Sequence, residues 1–307
     1  MRKIYTIGET VLDIIFKNGE PVASKAGGSM LNTAMSLGRL GMPINFISEY
    51  GIDAVGKIIN ESLIDNGVNT HYTYKYSEGK SALALAFLDA NNNADYSFYK
   101  QYPNERMKIT FPEVNEDDII IFGSFYALMR EIRNSLIKFL THAKERNALI
   151  LYDPNFRKSH LHELLDLIPF ITRNITFASI IRSSDEDFSL IYNINDSELA
   201  YDKIKSSCKV LIYTANQRGV WIYTPDFYKQ YPVQKIQPLS TIGAGDTFNA
   251  GIVYSFIKHG ITHKEISHLS EAQWDKIIPT AIQFATHVCL SYDNYISHEF
   301  AAEFKLS

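Results

Sequence analysis

Two cysteines in 307 residues are too few for a disulfide framework, and neither Cys208 nor Cys289 stands in a C-x-x-C or other metal-type spacing. Both are expected to be buried or bystander thiols, because free cysteine is among the most buried residue types. An excess of basic charge is also missing. The 30 Lys and Arg against 34 Asp and Glu leave a formal charge of -4 and a pI near 6.1, with no global field to hold nucleic acid or an anionic membrane. Long apolar runs are absent as well: the uncharged stretch Ile119 to Met129 is about half of what a membrane-spanning helix needs. Glu9 and Asp13 interrupt the apolar N-terminal stretch before a signal-peptide core forms, so the expected location is the cytoplasm. His259, His263 and His268 lack a neighbouring Cys or an H-E-x-x-H frame and read as solvated loop histidines.

What is present is a chain with 46% hydrophobic residues, enough for one large α/β domain. Four short runs, "DDIIIFGSF" (117–125), "ALILYDPNF" (148–156), "ASIIRSSDED" (178–187) and "KVLIYTANQRG" (209–219), are apolar without alternation. That texture marks strands buried on both faces, hence a parallel sheet. Arg130 to Arg146, Leu161 to Thr172 and Asp196 to Ser206 supply crossover helices. The residues able to do chemistry follow each run, at the carboxyl ends where open α/β sheets bind ligands. Ser124, Asp153, Asn155, Arg157, Ser184, Asp187, Thr214 and Asn216 are therefore expected on one rim. Residues 9–16 and 81–100, the latter turning at the Asn-rich 91–93, read as an accessory sheet. There is no internal repeat and no low-complexity linker.

Three glycine clusters remain. "GIDAVGKI" (51–58) fits G-x-x-x-x-G-K but carries Ile58 where a phosphate-binding loop needs Ser or Thr, so Asp53 is read as the cap of a helix over 54–66. "AGGSMLNTAMSLGRLG" (26–41) offers a flexible Gly27-Gly28 turn into a helix, with Asn32 on its first turn as donor and acceptor for hydroxyls. "STIGAGDTFNAG" (240–251) puts the turn Gly243-Ala244-Gly245 before a helix that begins at Asp246. Free amides and the helix dipole make such a start an anion site. A carboxylate beside it can take a proton from a hydroxyl, the pairing that phosphoryl transfer to an alcohol requires.

On these residues the chain resembles the ribokinase-like (PfkB) carbohydrate kinase family. "GGSMLNTAMSLGRLG" is similar to that family's N-terminal signature and "STIGAGDTFNAG" to its C-terminal D-T-x-G-A-G-D-x-F-x-x-G signature. "GETVLD" resembles the family's opening G-x-x-x-x-D, which implies that Asp13 binds sugar hydroxyls. "DPNFR" resembles fructokinases and 2-keto-3-deoxygluconate kinases, which implies Arg157, and with it Gly28, Asn32 and Lys100, near the substrate.

The implied fold is a mainly parallel central sheet flanked by helices with a small β-sheet lid, one domain over 1–307, the lid drawn from about 9–24 and 70–103. The implied reaction is transfer of the γ-phosphate of ATP to a hydroxyl of a small sugar, fructose or a keto-sugar or sugar acid. Asp246 would be the base and Gly243, Ala244 and Gly245 the anion hole. Ser184, Thr214, Asn216 and Gly219 would line the nucleotide, and Asp187 would meet Mg2+ through water. Ser240 replaces the acidic or amide residue that opens the C-terminal signature, which argues against potassium activation. Asn216 replaces a turn glycine, an exchange that positive φ tolerates. A nucleoside kinase of the same fold and a silent sugar or nucleotide sensor are the alternatives. The expected partners are a small sugar and ATP, with a homodimer through the lid, no nucleic acid and no membrane.

Overall fold

The four apolar runs form neighbouring strands of one sheet. The computed structural model describes residues 2–89 and 94–305, so the turn expected at 91–93 lies outside the described residues. The first half runs β1 (Ile4–Ile7), β2 (Val11–Lys17), β3 (Glu20–Gly27), α1 (Ser29–Arg39), β4 (Ile44–Gly51), α2 (Ala54–Asp65), β5 (Thr73–Tyr76), β6 (Lys80–Leu88) and β7 (Ala94–Gln101). Next come β8 (Ile119–Gly123), α3 (Arg130–Glu145), β9 (Leu149–Asp153), α4 (Leu164–Ile175), β10 (Ile180–Ser184), α5 (Asp185–Tyr192) and α6 (Ser197–Ile204). The chain closes with β11 (Leu211–Thr214), β12 (Val220–Tyr223), β13 (Tyr228–Tyr231), α7 (Ala244–Lys258), α8 (Glu271–Cys289) and α9 (His298–Glu303).

Among the described residues the central sheet has nine strands in the order β13-β12-β11-β10-β9-β8-β1-β4-β5. Pairing is parallel from β11 to β5 and antiparallel only for β12 and β13. Every residue of β8 and β9 is buried. Successive side chains serve opposite faces: Ile119 and Ile121 pack with α1, α7 and α8, while Ile120 and Phe122 pack with α3 and α4. Helix α7 is the most enclosed, buried from Asp246 through Phe256. Gly251 makes this possible, because a Cβ there would lie 2.7 Å from the Ala281 Cα of α8. The strand order turns back at β1 and β8, which leaves a crevice beyond their carboxyl ends.

The second sheet, β3-β2-β6-β7, packs against β4 and the helices α1 and α2. Residues 73–76, inside the stretch assigned to the lid from sequence, pair instead with β4 in the central sheet. They are too close to the end of α2 to reach the lid before β6 begins. Asp53 caps α2 by accepting from Gly56 N–H at 2.7 Å, as its position implies. It also accepts from Ser81 N–H and Oγ at 2.9 and 2.8 Å, which ties the start of β6 to the main body. A second tie is buried: Glu49 on β4 accepts from Arg106 Nε at 2.7 Å, Met107 N–H at 2.9 Å and Tyr126 OH at 3.2 Å.

Candidate active site

Asp246 begins the site. It stands on the first turn of α7, buried, and its oxygens accept from Ser29 Oγ at 2.6 Å and Asn32 Nδ2 at 2.8 Å. Both donors lie on the first turn of α1, more than two hundred residues earlier in the chain, and Thr33 Oγ1 adds a bond to the Asp246 carbonyl at 2.9 Å. The two helix starts converge because both follow glycine turns that let backbone approach closely. Gly28 has φ +131°, and a Cβ there would lie 2.3 Å from the Glu9 carbonyl. Burial pushes the Asp246 carboxyl above its ordinary range, while the Ser29 and Asn32 hydrogen bonds and the Arg157 and Arg182 charges pull it back.

The turn before Asp246 has the form expected of an anion site. Gly243 sits at φ +79° as the N-cap of α7 and provides no capping side chain. Ala244 N–H bonds the Thr241 carbonyl at 3.3 Å, but among the described residues the Gly245 and Asp246 amides have no protein acceptor. Two free amides at the start of a 15-residue helix suit an anion. Ser240 Oγ closes the approach by accepting from Ile242 N–H at 3.2 Å.

Asp13 on β2 reaches the same crevice from the lid. Its carboxylate leans over Gly27, where a Cβ would lie 2.0 Å from Oδ2. Burial without a compensating partner pushes its pKa up to about 7. Asn32 Oδ1 is likewise buried and unpartnered. One open carboxylate and one open amide oxygen form the acceptor pair that a polyol satisfies. Arg157 follows β9 at the exposed rim, and its charge is felt at Asp246. The Lys100 ammonium pairs with Glu9 at 2.6 Å, and Glu9 also accepts from Tyr102 OH.

The residues assigned to the nucleotide from sequence, Ser184, Thr214, Asn216 and Gly219, lie at the ends of β10 and β11 and in the turn that follows. Asn216 adopts φ +48°, as its substitution for glycine requires, and Gly219 has φ +123°. Ser184 caps α5, and Asp187 completes a capping box with it. Asp187 is turned inward, accepting from Phe156 N–H at 2.6 Å, Ser184 N–H at 2.8 Å and Ser184 Oγ at 2.7 Å. A water-bridged ion would share oxygens that already serve the backbone. No cluster of three or more His, Cys, Asp or Glu that could hold a metal occurs among the described residues.

Sequence reasoning missed the layer beneath. Ser29 was visible only as part of a signature. Arg182, inside the β10 run, reads as an interruption of an apolar strand, yet it is buried and spans Asp153 Oδ2 at 3.0 Å and Thr214 Oγ1 at 2.9 Å. Asn249, three residues past Asp246, donates to the same Asp153 oxygen at 2.7 Å. A charged residue in an otherwise apolar buried strand was the available signal.

A doubly wound sheet with a glycine-turn anion site, a buried carboxylate at its edge and a polar crevice under a β-sheet lid defines a small-molecule phosphotransferase. Residues 1–288 match the model of the pfkB family carbohydrate kinases, and the chain belongs to that family. It is a phosphotransferase with an alcohol acceptor. A fructokinase of Rhizobium leguminosarum bv. trifolii is 28% identical over 277 residues, covering 87% of this chain and 84% of the relative. Among solved structures, a double mutant of the Vibrio cholerae O395 fructokinase in a fructose-, ADP- and potassium-bound form superposes with a TM-score of 0.83 at 17% identity, covering 100% of this chain and 99% of that one. The aminoimidazole riboside kinase of Salmonella enterica, complexed with aminoimidazole riboside and an ATP analog, gives 0.81 at 18% identity, with 99% of both chains covered. No helix of the described residues is long and apolar enough to cross a membrane.

Proposed function

We propose that the chain transfers the γ-phosphate of ATP to a hydroxyl of fructose or a related keto-sugar or sugar acid. The reading rests above all on Asp246, fixed by Ser29 and Asn32 beside the unpaired Gly245 and Asp246 amides. In this reading the sugar lies between Asp13, Gly28, Asn32 and Arg157 under the lid. Asp246 accepts the proton of the attacking hydroxyl while the amides of the Gly243 to Gly245 turn hold the charge developing on the transferred group. Magnesium, when bound with ATP, offsets negative charge on its phosphates. Thr214, Asn216 and Gly219 border the nucleotide, and Asp187 and Ser184 hold the turn that faces it. Lys100, paired with Glu9, keeps the lid edge in place.

The test is coupled ADP release with Mg-ATP against fructose, 2-keto-3-deoxygluconate, ribose, tagatose and adenosine, each in potassium and in choline chloride. We expect a keto-sugar to be preferred, with equal rates in the two salts because Ser240 stands where the C-terminal signature carries an acidic or amide oxygen. Preference for adenosine would make this a nucleoside kinase. ATP binding without turnover on any compound would leave a sensor.

As an acceptor of sugar hydroxyls, Asp13 is stronger when ionised. With a pKa of about 7, the KM for sugar falls as pH rises from about 6 to 8, and Asp13→Asn removes that dependence while raising KM by about tenfold. The sign for stability is opposite. The Asp13 pKa is raised on folding, so its contribution is present below pH 4 and lost as pH rises through about 7. A sugar KM independent of pH in the wild type would remove Asp13 from the binding set.

The lid carries apolar surface outward. Phe16 stacks on Phe87 with centroids 5.0 Å apart, and Phe87 and Tyr99, on the same face, are exposed. Two lids pairing would cover them, so we expect a dimer mass by sedimentation; a monomer at working concentration would sink this part of the reading.

A further inference from the structure

Arg182 has no part in the reading above, yet it is the buried cation closest to the reacting groups. Its guanidinium lies against the anion turn: a Cβ added to Gly245 would sit 2.7 Å from Nη1 and 3.0 Å from Nη2. Below, Nη1 donates to Asp153 and Nη2 to Thr214, and above, the group faces the Phe248 ring at 5.7 Å from its centroid. Its Nε is buried without a partner. A buried guanidinium with an orphaned donor is costly unless its charge is used.

Three buried carboxylates surround it: Asp153 on β9, Asp187 on α5 and Asp246 on α7. Only Asp153 bonds it directly. Asp187 is satisfied by Phe156 and Ser184, and Asp246 by Ser29 and Asn32. The other groups that act on Asp246 are Arg157 at the rim and, with opposite sign, Asp153. Arg157 is exposed and screened by solvent, which leaves Arg182 as the unscreened positive charge.

We propose that Arg182 is a positioning residue for phosphoryl transfer: clamped by Asp153 and Thr214 beneath Gly245, its fixed charge keeps Asp246 ready to accept a proton and supports the anion turn. The clamp matters as much as the charge, since a guanidinium free to swing would pair with Asp246 and block it. The glycine at 245 is what lets the charge approach so near the backbone. This rests on the kinase reading for its rate consequences but not for its effect on Asp246.

The experiment therefore has two parts. Carboxyl 13C NMR titration follows Asp246, assigned by the resonance lost in Asp246→Asn, in the wild type, Arg182→Lys and Arg182→Gln. We expect the Asp246 midpoint to move up by about one pH unit in Arg182→Gln and to stay nearly in place in Arg182→Lys, which keeps the charge. Kinetics on the best acceptor should show kcat lower by about 10² in Arg182→Gln, with sugar KM little changed and the acid limb of kcat displaced upward. Because Arg182→Gln leaves Asp153 buried without its ion pair, Arg182→Gln/Asp153→Asn is measured alongside. We expect the double variant to recover Tm and, because the opposing Asp153 charge is gone as well, most of the Asp246 midpoint, but not kcat. Recovery of kcat along with Tm, or an unmoved midpoint in Arg182→Gln, would mean that the ion pair only holds strand ends together. Absence of turnover in the wild type would refute the kinase reading and leave the titration to decide the role of Arg182.

Discussion

Asp246→Asn lowers kcat by about 10² to 10⁴, the range for loss of a positioned general base, with both KM values nearly unchanged. The substitution is nearly isosteric, and the side chain stays between Ser29 and Asn32, so the fold and both binding sites persist. What disappears is the acceptor for the proton of the attacking hydroxyl. The pH profile offers a second check. Burial raises the Asp246 pKa, so in the wild type kcat falls toward acid with a midpoint above the ordinary carboxylate range, and that limb vanishes from the residual activity of the variant. A variant as active as the wild type would mean that proton transfer is not assisted here, whatever sugar is used.

Gly243→Ala has the second largest expected effect, a loss of about 10² to 10³ in kcat, comparable to removing an oxyanion-hole donor. Two costs coincide at this residue. Its φ of +79° is disfavoured for any side chain by about 1 to 2 kcal/mol, and an added Cβ would lie 2.2 Å from the Asn294 carbonyl oxygen and 2.8 Å from the Asn294 Cα. Backbone cannot yield as a side chain can, so the turn must move. Movement swings the Gly245 and Asp246 amides away from the transferred group. Near-normal kcat in Gly243→Ala would show that these amides do not carry the developing charge.

The loop behind that turn is itself braced. Lys25 on β3 donates to the Tyr292 carbonyl and to Asp293 Oδ1, both at 2.7 Å. Asn294, the next residue, is the one packed on Gly243. A lid strand thus supports, through three adjacent residues, the backbone against which the turn before Asp246 rests.

The parts of this protein legible in one dimension are those governed by local rules. Apolar runs at 117–125, 148–156, 178–187 and 209–219 became β8 to β11 because a strand buried on both faces needs apolar residues throughout, a demand written into each segment alone. Glycine turns before helix starts, the Asp53 cap and the positive φ of Asn216 follow from backbone sterics and were equally readable. Asp246 announced itself by standing behind Gly-Ala-Gly.

Only the tertiary structure decided which of the polar residues meet. Strand β5 joins the central sheet rather than the lid, Lys100 pairs with Glu9, and Asp187 accepts from Phe156 N–H, since each contact depends on a partner distant in the chain. The same holds for Ser29 reaching Asp246 from α1 and for Arg182 bridging three strand ends under a glycine. A buried charge is stable only where its counter-charge and donors converge in space, and that convergence is a property of the packed fold, invisible in the order of the residues.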